Sequence, residues 1–319
     1  MIYFRGVIMK NNKYLPYFAG IAISIIFGMS FMFTKQALDS FGTFHLLAFR
    51  FTLAALILSF LALIGVIKVE LKNKPIKKLL LLCFFQPIAY FIFETIGVKL
   101  TSSSQAGMMI ALIPVVVTLM AVVFLKETPN KIQIFFIFVS VLGVLFIIAM
   151  SGNLNAGGNL LGIAVLMGAV LSGGIYNILS RKLSRHYNAV EITFIMMWVG
   201  AICFNIIAVF NSITHGTLGS YFNGFSSWQA VSAILYLGIL SSICAFFMLN
   251  YMLSKLTASN SAVFSNLTTV ISIIAGVFIR HEPFYWYQLA GGILIILGVW
   301  GTNYYGLKAA VKETIAVEA

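Results

Sequence analysis

Long apolar stretches, separated by short polar segments, run through almost the whole chain. Each stretch is continuously apolar over about 20 residues, the length that an α-helix needs to cross the hydrocarbon core of a bilayer. A membrane β-barrel would instead show apolar and polar residues in alternation. The pattern therefore predicts an all-α integral membrane protein with ten transmembrane helices. The predicted spans are Leu15–Lys35, Phe44–Ile67, Ile76–Val98, Ser103–Leu125, Ile132–Met150, Leu160–Ser180, Val190–Asn211, Trp228–Leu253, Ala258–Ile279 and Tyr285–Leu307.

The second half of the chain repeats the first. The segment YFIFETIGVKLTSSSQA at residues 90–106 matches FFMLNYMLSKLTASNSA at residues 246–262, and Gln133 is matched by Gln288 in a later stretch. Because each unit has five predicted spans, an odd number, the second unit is expected to lie inverted in the membrane. The two five-helix repeats are expected at residues 15–150 and 160–307, with cytoplasmic tails at residues 1–14 and 308–319.

The basic residues predict the orientation of the chain. With the N-terminus in the cytoplasm, sixteen of the 20 Lys and Arg residues fall in cytoplasmic segments, and only Lys35, Lys99 and Arg280 fall outside. Lys and Arg are enriched in the short cytoplasmic loops of membrane proteins, so both termini are predicted to be cytoplasmic. Lys99 then lies outside the membrane and its repeat counterpart Lys255 lies inside, as an inverted repeat requires.

Composition excludes other classes of protein. Hydrophobic residues make up 61% of the chain, charged residues 9%, and the mean hydropathy is +1.02, whereas a soluble domain carries roughly a quarter charged residues. The net charge of +12 is not interpreted as nucleic-acid binding, because the basic residues lie in short loops between apolar stretches. The three cysteines lie within apolar stretches, so no disulfide is expected.

Enzyme signatures are missing from the sequence. The four histidines lie in loops or at span ends, without the spacing of a metal site. No hydrolase, zinc-protease or phosphate-binding motif occurs. We therefore expect no enzymatic activity, no catalytic residues, no metal and no cofactor, and without a nucleotide site any transport would be secondary.

Two ionisable side chains lie inside predicted spans, where charge is costly and marks candidate functional sites. Arg50 in the second span and Glu94 in the third both lie roughly 6–9 Å below the outer boundary. They are predicted to lie close together, with Lys35 and Lys99 near the rim. Two interpretations remain open: an ion pair that fixes helix packing, or a Glu94 carboxylate that accepts a proton or a cationic group while Arg50 biases its charge.

Uncharged polar residues within the spans are candidates for lining a substrate-binding cavity. They are Ser30, Thr34, Gln86, Tyr90, Tyr176, Asn177, Asn205, Asn250, Tyr251, Ser265 and Asn266. This mixture of aromatic and amide side chains suits a small amphipathic solute better than a bare ion. Because Asn250 is the repeat counterpart of Glu94, charge chemistry is expected in the first half alone.

Small residues and prolines mark places where the helices are expected to pack or bend. Gly20, Ser24 and Gly28 form a stripe on the first span, and a matching stripe lies on the sixth, so these faces are expected to pack closely. Whether such faces also slide during transport stays open. Pro87 and Pro114 lie inside spans and are expected to kink them, either as static bends or as sites where a freed carbonyl faces a cavity.

Two segments of the chain resemble a known family. FRFTLAALIL at residues 49–58 and KLTSSSQAGMMIALIPVVVTLMAVVFLKETPNKIQ at residues 99–133 resemble the EamA-type branch of the drug/metabolite transporter superfamily. The resemblance covers about residues 15–307. It implies ten helices in two bundles around a central cavity, alternating access, and a substrate among amino acids, other metabolites or toxic compounds.

The resemblance also sorts individual residues. Arg50 occupies the place of an arginine in that family's second helix, and Glu127 the place of a glutamate at the cytoplasmic end of the fourth. Glu127 and its second-repeat counterpart Glu282 are expected to cap helices or bond loops rather than take part in transport. Glu94 and Gln86 depart from the family pattern, so they are expected to serve this chain's own substrate.

These observations predict a secondary transporter that moves a small organic metabolite, outward by preference, across the cytoplasmic membrane. Its expected partners are the solute, the lipid bilayer and, as a candidate coupling ion, the proton. An importer or salvage permease is the alternative within the class. A membrane receptor or scaffold without flux is the alternative outside it, although such a protein has no need of an inverted repeat.

Overall fold

The computed structural model describes residues 14–72, 74, 76–125, 130–150, 157–256 and 258–318, and it gives the backbone alone for residues 121–125, 157–159, 258–263, 303 and 306–318. Regular structure in these ranges is helical, which confirms the all-α prediction. The α-helices are α1 (Leu15–Leu38), α2 (Thr43–Leu63), α3 (Ile76–Cys83), α4 (Tyr90–Leu100), α5 (Ser103–Ile110), α6 (Ile113–Leu125), α7 (Lys131–Met150), α8 (Gly157–Leu183), α9 (Ala189–Thr214), α10 (Trp228–Leu235), α11 (Phe246–Lys255), α12 (Ala258–Ile274) and α13 (Trp286–Glu318).

The helices have the length and composition of a multi-pass membrane protein. Within the described ranges, eight helices are long and apolar enough to cross a bilayer. Two shorter apolar helices, Phe264–Ile279 and Trp286–Thr302, follow them at the positions of the ninth and tenth predicted spans. The C-terminal segment differs from a simple tail, because α13 continues past residue 307 to Glu318. The tail at residues 1–13 and Glu127 lie outside the described residues.

Matched spans of the two halves are interrupted at matched places. The third span joins α3 to α4 through the π-helical segment Phe84–Ala89, within which Gln86 has an extended backbone (φ −150°, ψ 118°) and is followed by Pro87. The eighth span joins α10 to α11 through the π-helical segment Tyr236–Ala245. π-Helical turns inside α-helices are frequent at functional sites, so these segments draw attention to the third and eighth spans.

Pro114 lies just after a second interruption, in the fourth span. Helix α5 ends at Ile110, and α6 begins at Ile113 after a short turn. A proline removes one backbone donor and crowds the preceding turn, which explains a break at this point. The expectation of a kink near each proline is therefore confirmed.

Helices from the two halves pack against each other in pairs. Helix α1 packs against α12, α2 against α9, α4 against α8, and α7 against α13. The predicted small-residue stripe makes the first contact possible: a Cβ atom at Gly28 would lie 2.7 Å from the side chain of Ile271, too close for any other residue. Ser24 donates a hydrogen bond from Oγ to the Phe264 carbonyl at 2.8 Å. Without water between them, membrane helices associate through such close contacts.

The repeated glutamines start matched helices. The backbone N–H of Asn130 donates to Gln133 Oε1 at 2.9 Å, while the Gln133 N–H donates to Asn130 Oδ1 at 2.8 Å. This reciprocal pair is a capping box at the start of α7. At the start of α13, the Tyr285 N–H donates to Gln288 Oε1 at 2.9 Å. The glutamines recur because both helices need their first N–H groups satisfied.

Apolar side chains cover much of the outer surface. On α7, Phe135 and Phe138 are more than half exposed, and Phe210 on α9 is 68% exposed. Trp228 and Trp286 are exposed at the starts of α10 and α13, where aromatic residues typically anchor at the membrane interface. A surface of this kind indicates lipid contact rather than water.

Candidate functional site

A cavity of about 120 Å³ lies in the middle of the bundle, between helices of both halves. That volume is sufficient for several water molecules. The first half contributes α1, the segment Phe84–Ala89 and α4 to α6, and the second half contributes α8, Ser241, α11 and α12. Its walls are Ile23, Phe27, Ser30, Phe31, Gln86, Tyr90, Phe91, Glu94, Ile110, Ile113, Pro114, Val117, Gly173, Tyr176, Asn177, Ser241, Phe246, Leu249, Met252, Leu253, Phe264, Ser265 and Thr268.

Most of the predicted site residues meet at this cavity. Those that line it are Ser30, Gln86, Tyr90, Glu94, Tyr176, Asn177 and Ser265. The carboxylate and two amides therefore lie among aromatic and aliphatic walls, which is the usual composition of a small-molecule site. The interrupted helices matter here, because Gln86 belongs to the π-helical segment of the third span and Pro114 follows the break in the fourth.

Other predicted residues lie elsewhere, away from the cavity walls. Thr34 is fully buried. Within the described residues, neither the Thr34 hydroxyl nor Asn266 Oδ1 has a hydrogen-bond partner. Tyr251 is partly exposed near the end of α11. Asn205 donates from Nδ2 to Thr52 Oγ1 at 2.6 Å and joins α9 to α2. These four residues therefore lie outside the described wall of this cavity, and a contact of any of them with substrate stays a prediction.

Asn250 is a packing residue in this structure rather than a wall of the cavity. Its Oδ1 accepts hydrogen bonds from Tyr176 Oη at 2.7 Å and from Ser180 Oγ at 2.8 Å, and its Nδ2 donates to Thr193 Oγ1 at 3.1 Å. The amide is 1% exposed and ties α11 to α8 and α9. A buried amide with these partners has its main hydrogen-bonding capacity used internally.

Glu94 has the opposite environment. Its residue is 3% exposed and lines the cavity. Among the described residues, the one hydrogen-bond donor within reach of its carboxylate is Thr95 Oγ1, at 3.1 Å. Burying a carboxylate with so few donors is costly unless a proton or a cation compensates the charge.

Arg50 does not form the predicted ion pair with Glu94. Its Nε donates to Ser242 Oγ at 3.1 Å, its Nη2 donates to Ser241 Oγ at 3.0 Å, and its guanidinium lies 4.5 Å from the centroid of the Phe91 ring. No Glu94 oxygen lies within 4.0 Å of an Arg50 nitrogen, so the two residues interact at longer range in this conformation, and their role as a pair stays a prediction. Two hydroxyls of the eighth span accept two of the five guanidinium N–H donors, and the ring of Phe91 provides a further favourable contact.

Lys35 bonds to backbone carbonyls at the end of α4 rather than to Glu94. Its Nζ donates to the carbonyl oxygens of Val98 at 2.8 Å, Lys99 at 3.1 Å and Thr101 at 2.6 Å. These carbonyls belong to the last turn of α4 and the residue after it. A cation at the C-terminus of a helix compensates the negative end of the helix dipole and the unpaired carbonyls. Lys35 therefore fixes the end of α1 against the end of α4.

A network of charged residues continues from Lys35 at the same end of the bundle. Arg280 pairs with Asp39 at 2.9 Å and lies 3.7 Å from Glu282. Glu282 accepts from Ser103 Oγ at 2.7 Å and from the Ser103 N–H at 3.2 Å. It thereby caps α5, which confirms the structural role expected of this glutamate. We name Lys35, Asp39, Arg280 and Glu282 the rim network.

Sequence reasoning missed the aromatic walls and one hydroxyl. Phe27, Phe31, Phe246 and Phe264 line the cavity, as does Ser241, which also accepts from Arg50. Helix α1 does carry a usable signal, because residues at four-residue spacing share one helix face. Ile23, Phe27 and Phe31 have this spacing, and Ser30 lies beside them. Phe246 is the repeat counterpart of the predicted site residue Tyr90, which is a second usable signal, whereas no such pattern marks Ser241.

A multi-pass helical bundle with a polar cavity between two matched halves is the architecture of a membrane transporter. Comparison with known families agrees: the model of the EamA-like transporter family matches residues 15–149 and again residues 160–304. The chain therefore belongs to the EamA-like transporter family and contains two EamA repeats. The same membership indicates a non-enzymatic membrane protein that handles a small-molecule substrate.

Relatives and a solved structure support the family and the fold. The chain is 37% identical over 295 residues to "Uncharacterized transporter YcxC" of Bacillus subtilis, covering 92% of this chain and 95% of the relative. It is 27% identical over 294 residues to "Probable terminal-alkyne amino-acid exporter" of Streptantibioticus cattleyicolor, covering 91% and 93%. A crystal structure aligns with a TM-score of 0.63 at 14% identity, over 91% of this chain and 96% of that one, which shows a shared fold.

Proposed function

We propose that this chain is a secondary transporter that exports a small organic metabolite across the cytoplasmic membrane by alternating access. The substrate class is amino acids, related metabolites or toxic compounds of similar size. The observation that carries the proposal is the central cavity, because both halves contribute polar side chains to one space. A receptor or scaffold needs no such space, whereas a transporter places its solute site at this interface.

The proposed architecture is ten transmembrane helices in two inverted repeats, with both termini in the cytoplasm. The helix contacts support it. In a two-fold relation that exchanges the halves, α8 is the counterpart of α1, α5 and α6 together are the counterpart of α12, and α4 is the counterpart of α11. The contact of α1 with α12 then predicts a contact of α8 with α5 and α6, and the contact of α1 with α11 predicts one of α8 with α4. Each of these counterpart contacts occurs. The pairs α2 with α9 and α7 with α13 are each made of two repeat counterparts, as helices beside such an axis must be.

The two ends of the cavity support alternating access. Towards the end of the bundle that holds Lys35 and Arg280, the cavity stops at Glu94, six residues before the last residue of α4, or about 9 Å of helix. Towards the other end it reaches Leu253, close to the last residue of α11. We place the rim network on the outer side, where it closes the cavity. In this account export requires the rim network to separate and then re-form.

Export is proposed over import for two reasons. One relative, which aligns with this chain over 93% of its own length, is named as a probable amino-acid exporter. The cavity also extends closer to the predicted cytoplasmic end, which is the side from which an exporter loads. Glu94 is the proposed coupling group, because a buried carboxylate that lines the pathway can bind a proton and release it as the site opens.

Transport by the purified protein in proteoliposomes tests the proposal. Vesicles loaded with an unlabelled mixture of amino acids, amines and small organic acids should accumulate a labelled member of that mixture by exchange. Protein-free vesicles provide the control. Repeating the assay with an imposed pH gradient of either sign measures proton coupling and direction. If no member of the mixture exchanges above the protein-free level, the transporter proposal is wrong for this substrate class.

A further inference from the structure

The Glu94 carboxylate differs from the other buried carboxylates that the structure describes. Glu191 is 1% exposed and pairs with Lys74 at 2.6 Å. Glu282 lies 3.7 Å from Arg280 and caps a helix N-terminus. Within the described part of the chain, Glu94 has no cationic partner within 4.0 Å, and it is the carboxylate that lines the cavity. Glu191 and Glu282 each have a cation within ion-pair distance, whereas Glu94 interacts with Arg50 only from beyond that distance.

The neighbouring cations are held away from the cavity by other partners. Arg50 does not line the cavity; it donates to Ser241 and Ser242 and stacks on Phe91. Lys35 donates to carbonyls beyond the outer end of the cavity. No lysine, arginine or histidine belongs to the described cavity wall. A solute that enters therefore meets a carboxylate and no directly facing positive side chain.

The walls around Glu94 suit the rest of a cationic solute. Tyr90 and Phe91 lie on its own helix, and Phe246 faces them across the bundle with ring centroids of Phe91 and Phe246 5.8 Å apart. Aromatic faces attract cations and pack against apolar bodies. Gln86 and Asn177 add amide oxygens that can accept hydrogen bonds from an ammonium group. Thr95 is the donor already committed to the carboxylate.

From this arrangement we infer that the cavity binds a small organic amine in its ammonium form, with the ammonium on Glu94 and an apolar or aromatic body against Tyr90, Phe91 and Phe246. This inference rests on the proposed transport function and specifies its substrate class. An entering ammonium can pair directly with this carboxylate, which Arg50 offsets only from beyond ion-pair distance, whereas an anion of the same size meets the negative charge at short range. The amine is held by its positive charge and by the hydrogen bonds that its ammonium group donates, rather than by shape alone.

A set of four probes of similar shape tests the charge requirement. They are 2-phenylethylamine, 2-phenylethanol, 3-phenylpropionate and phenylalanine, measured one at a time by calorimetry on the detergent-purified protein at pH 8, where an alkylammonium stays protonated. Loss of a charge-assisted hydrogen bond costs about 1.5–3 kcal/mol, or about 10- to 150-fold in affinity. We expect the amine to bind at least about tenfold more tightly than each of the other three.

Two variants of Glu94 separate charge from shape. In Glu94→Gln the preference for the amine over the alcohol should disappear, while in Glu94→Asp, which keeps the charge, a reduced preference should remain. Glu70→Gln is the matched control, because Glu70 lies in an exposed segment away from the cavity wall, and it should bind the amine as the parent protein does. A thermal unfolding curve for each variant shows that it is folded.

The possible outcomes separate this inference from the proposed transport function. If the alcohol, the anion or the zwitterion binds as tightly as the amine, or if Glu94→Gln binds the amine undiminished, the amine inference is overturned while exchange in proteoliposomes still supports a transporter. If the amine binds through Glu94 but no solute exchanges across vesicles, the binding inference stands and the transport proposal fails.

Discussion

Glu94 and Asn250 occupy matched positions in the two repeats and have opposite environments. The amide of Asn250 is enclosed by hydroxyls of Tyr176, Ser180 and Thr193, whereas Glu94 faces the cavity with Thr95 alone. Both residues are almost fully buried, so burial does not distinguish them. What differs is whether the protein itself completes their hydrogen bonding. Asn250 joins neighbouring helices, and we propose that Glu94 is available to a solute that enters the cavity.

The same contrast applies to the flanking helices. Asn250 joins α11 to α8 and α9, three elements of the second half. Among the residues that the structure describes, Glu94 forms no hydrogen bond or close ion pair with another helix, and α4 is held by Gly97 against Leu166 and by Lys35 at its end. If Glu94 binds solute as proposed, one repeat keeps its helix contacts while the other gives up internal pairing at this position to form a site.

The largest expected effect is a difference in the side of the membrane from which two introduced cysteines can be labelled. Single cysteines introduced as Lys99→Cys and Lys255→Cys, in a background without Cys83, Cys203 and Cys244, should react from opposite sides of intact cells. A membrane-impermeant thiol reagent should label the first variant alone, and permeabilisation should expose the second. Labelling of both on the same side would contradict the inverted repeat and the whole two-fold comparison.

Removing the charge of Glu94 should impair function without loss of stability. For Glu94→Gln we expect exchange of a positively charged solute to fall by at least about tenfold, because a charge-assisted contact is lost. Stability should stay equal or rise, since a buried charge has been removed. Exchange rates and thermal unfolding in detergent are measured on the same preparation. A folded variant with unchanged exchange and unchanged response to a pH gradient would remove Glu94 from the mechanism.

Truncating Asn250 should have the opposite signature. Asn250→Ala leaves three buried hydroxyls without their shared partner, so stability should fall by about 2–3 kcal/mol. Solute affinity of the remaining folded protein should change little, because the amide does not line the cavity. Asn205→Ala, whose amide reaches Thr52 at a partly buried position, is the milder control. A stable variant with lost affinity would show that the two positions act alike.

The smallest expected effect concerns the rim network. Arg280→Gln removes the pairs with Asp39 and Glu282, which are partly exposed and so contribute at most about 1 kcal/mol. Destabilising the outward-closed state by about 1 kcal/mol should raise the rate at which a Ser30→Cys variant reacts with an external thiol reagent by about fivefold. Arg181→Gln, at the exposed end of α8, should leave the rate unchanged. Equal rates in both variants would argue against a gate at this end.

The sequence predicted the helices more reliably than the partners of individual side chains. Length and apolarity determine where a chain can cross a bilayer, and therefore the helices and the two repeats were accessible from the pattern. Arg50 and Glu94 are both buried, as expected, but Arg50 donates its hydrogen bonds to other residues rather than to Glu94. Depth along a helix says nothing about rotation about its axis, and the hydroxyls of Ser241 and Ser242 come from a span far away in sequence.

Polar residues within a span were the harder part of the site. Gln86 and Asn177 line the cavity, while Asn250 and Asn205 bond neighbouring helices, although all four are amides in apolar surroundings. Only the packing of distant spans decides between these roles. The recurrence of Gln133 and Gln288 was visible in the sequence, but their function as helix caps became clear from the hydrogen bonds at the starts of α7 and α13.

The most direct test of the central claim is whether chemical modification inside the cavity, from either half, stops transport. Ser30→Cys and Ser265→Cys, in the cysteine-free background, place one thiol on each repeat at the same cavity wall. Modification of either should abolish solute exchange in proteoliposomes, and saturating solute should slow the modification. Ser184→Cys, at an exposed helix end, should be modified without effect. Full exchange after complete modification of both cavity positions would contradict a solute pathway between the two repeats.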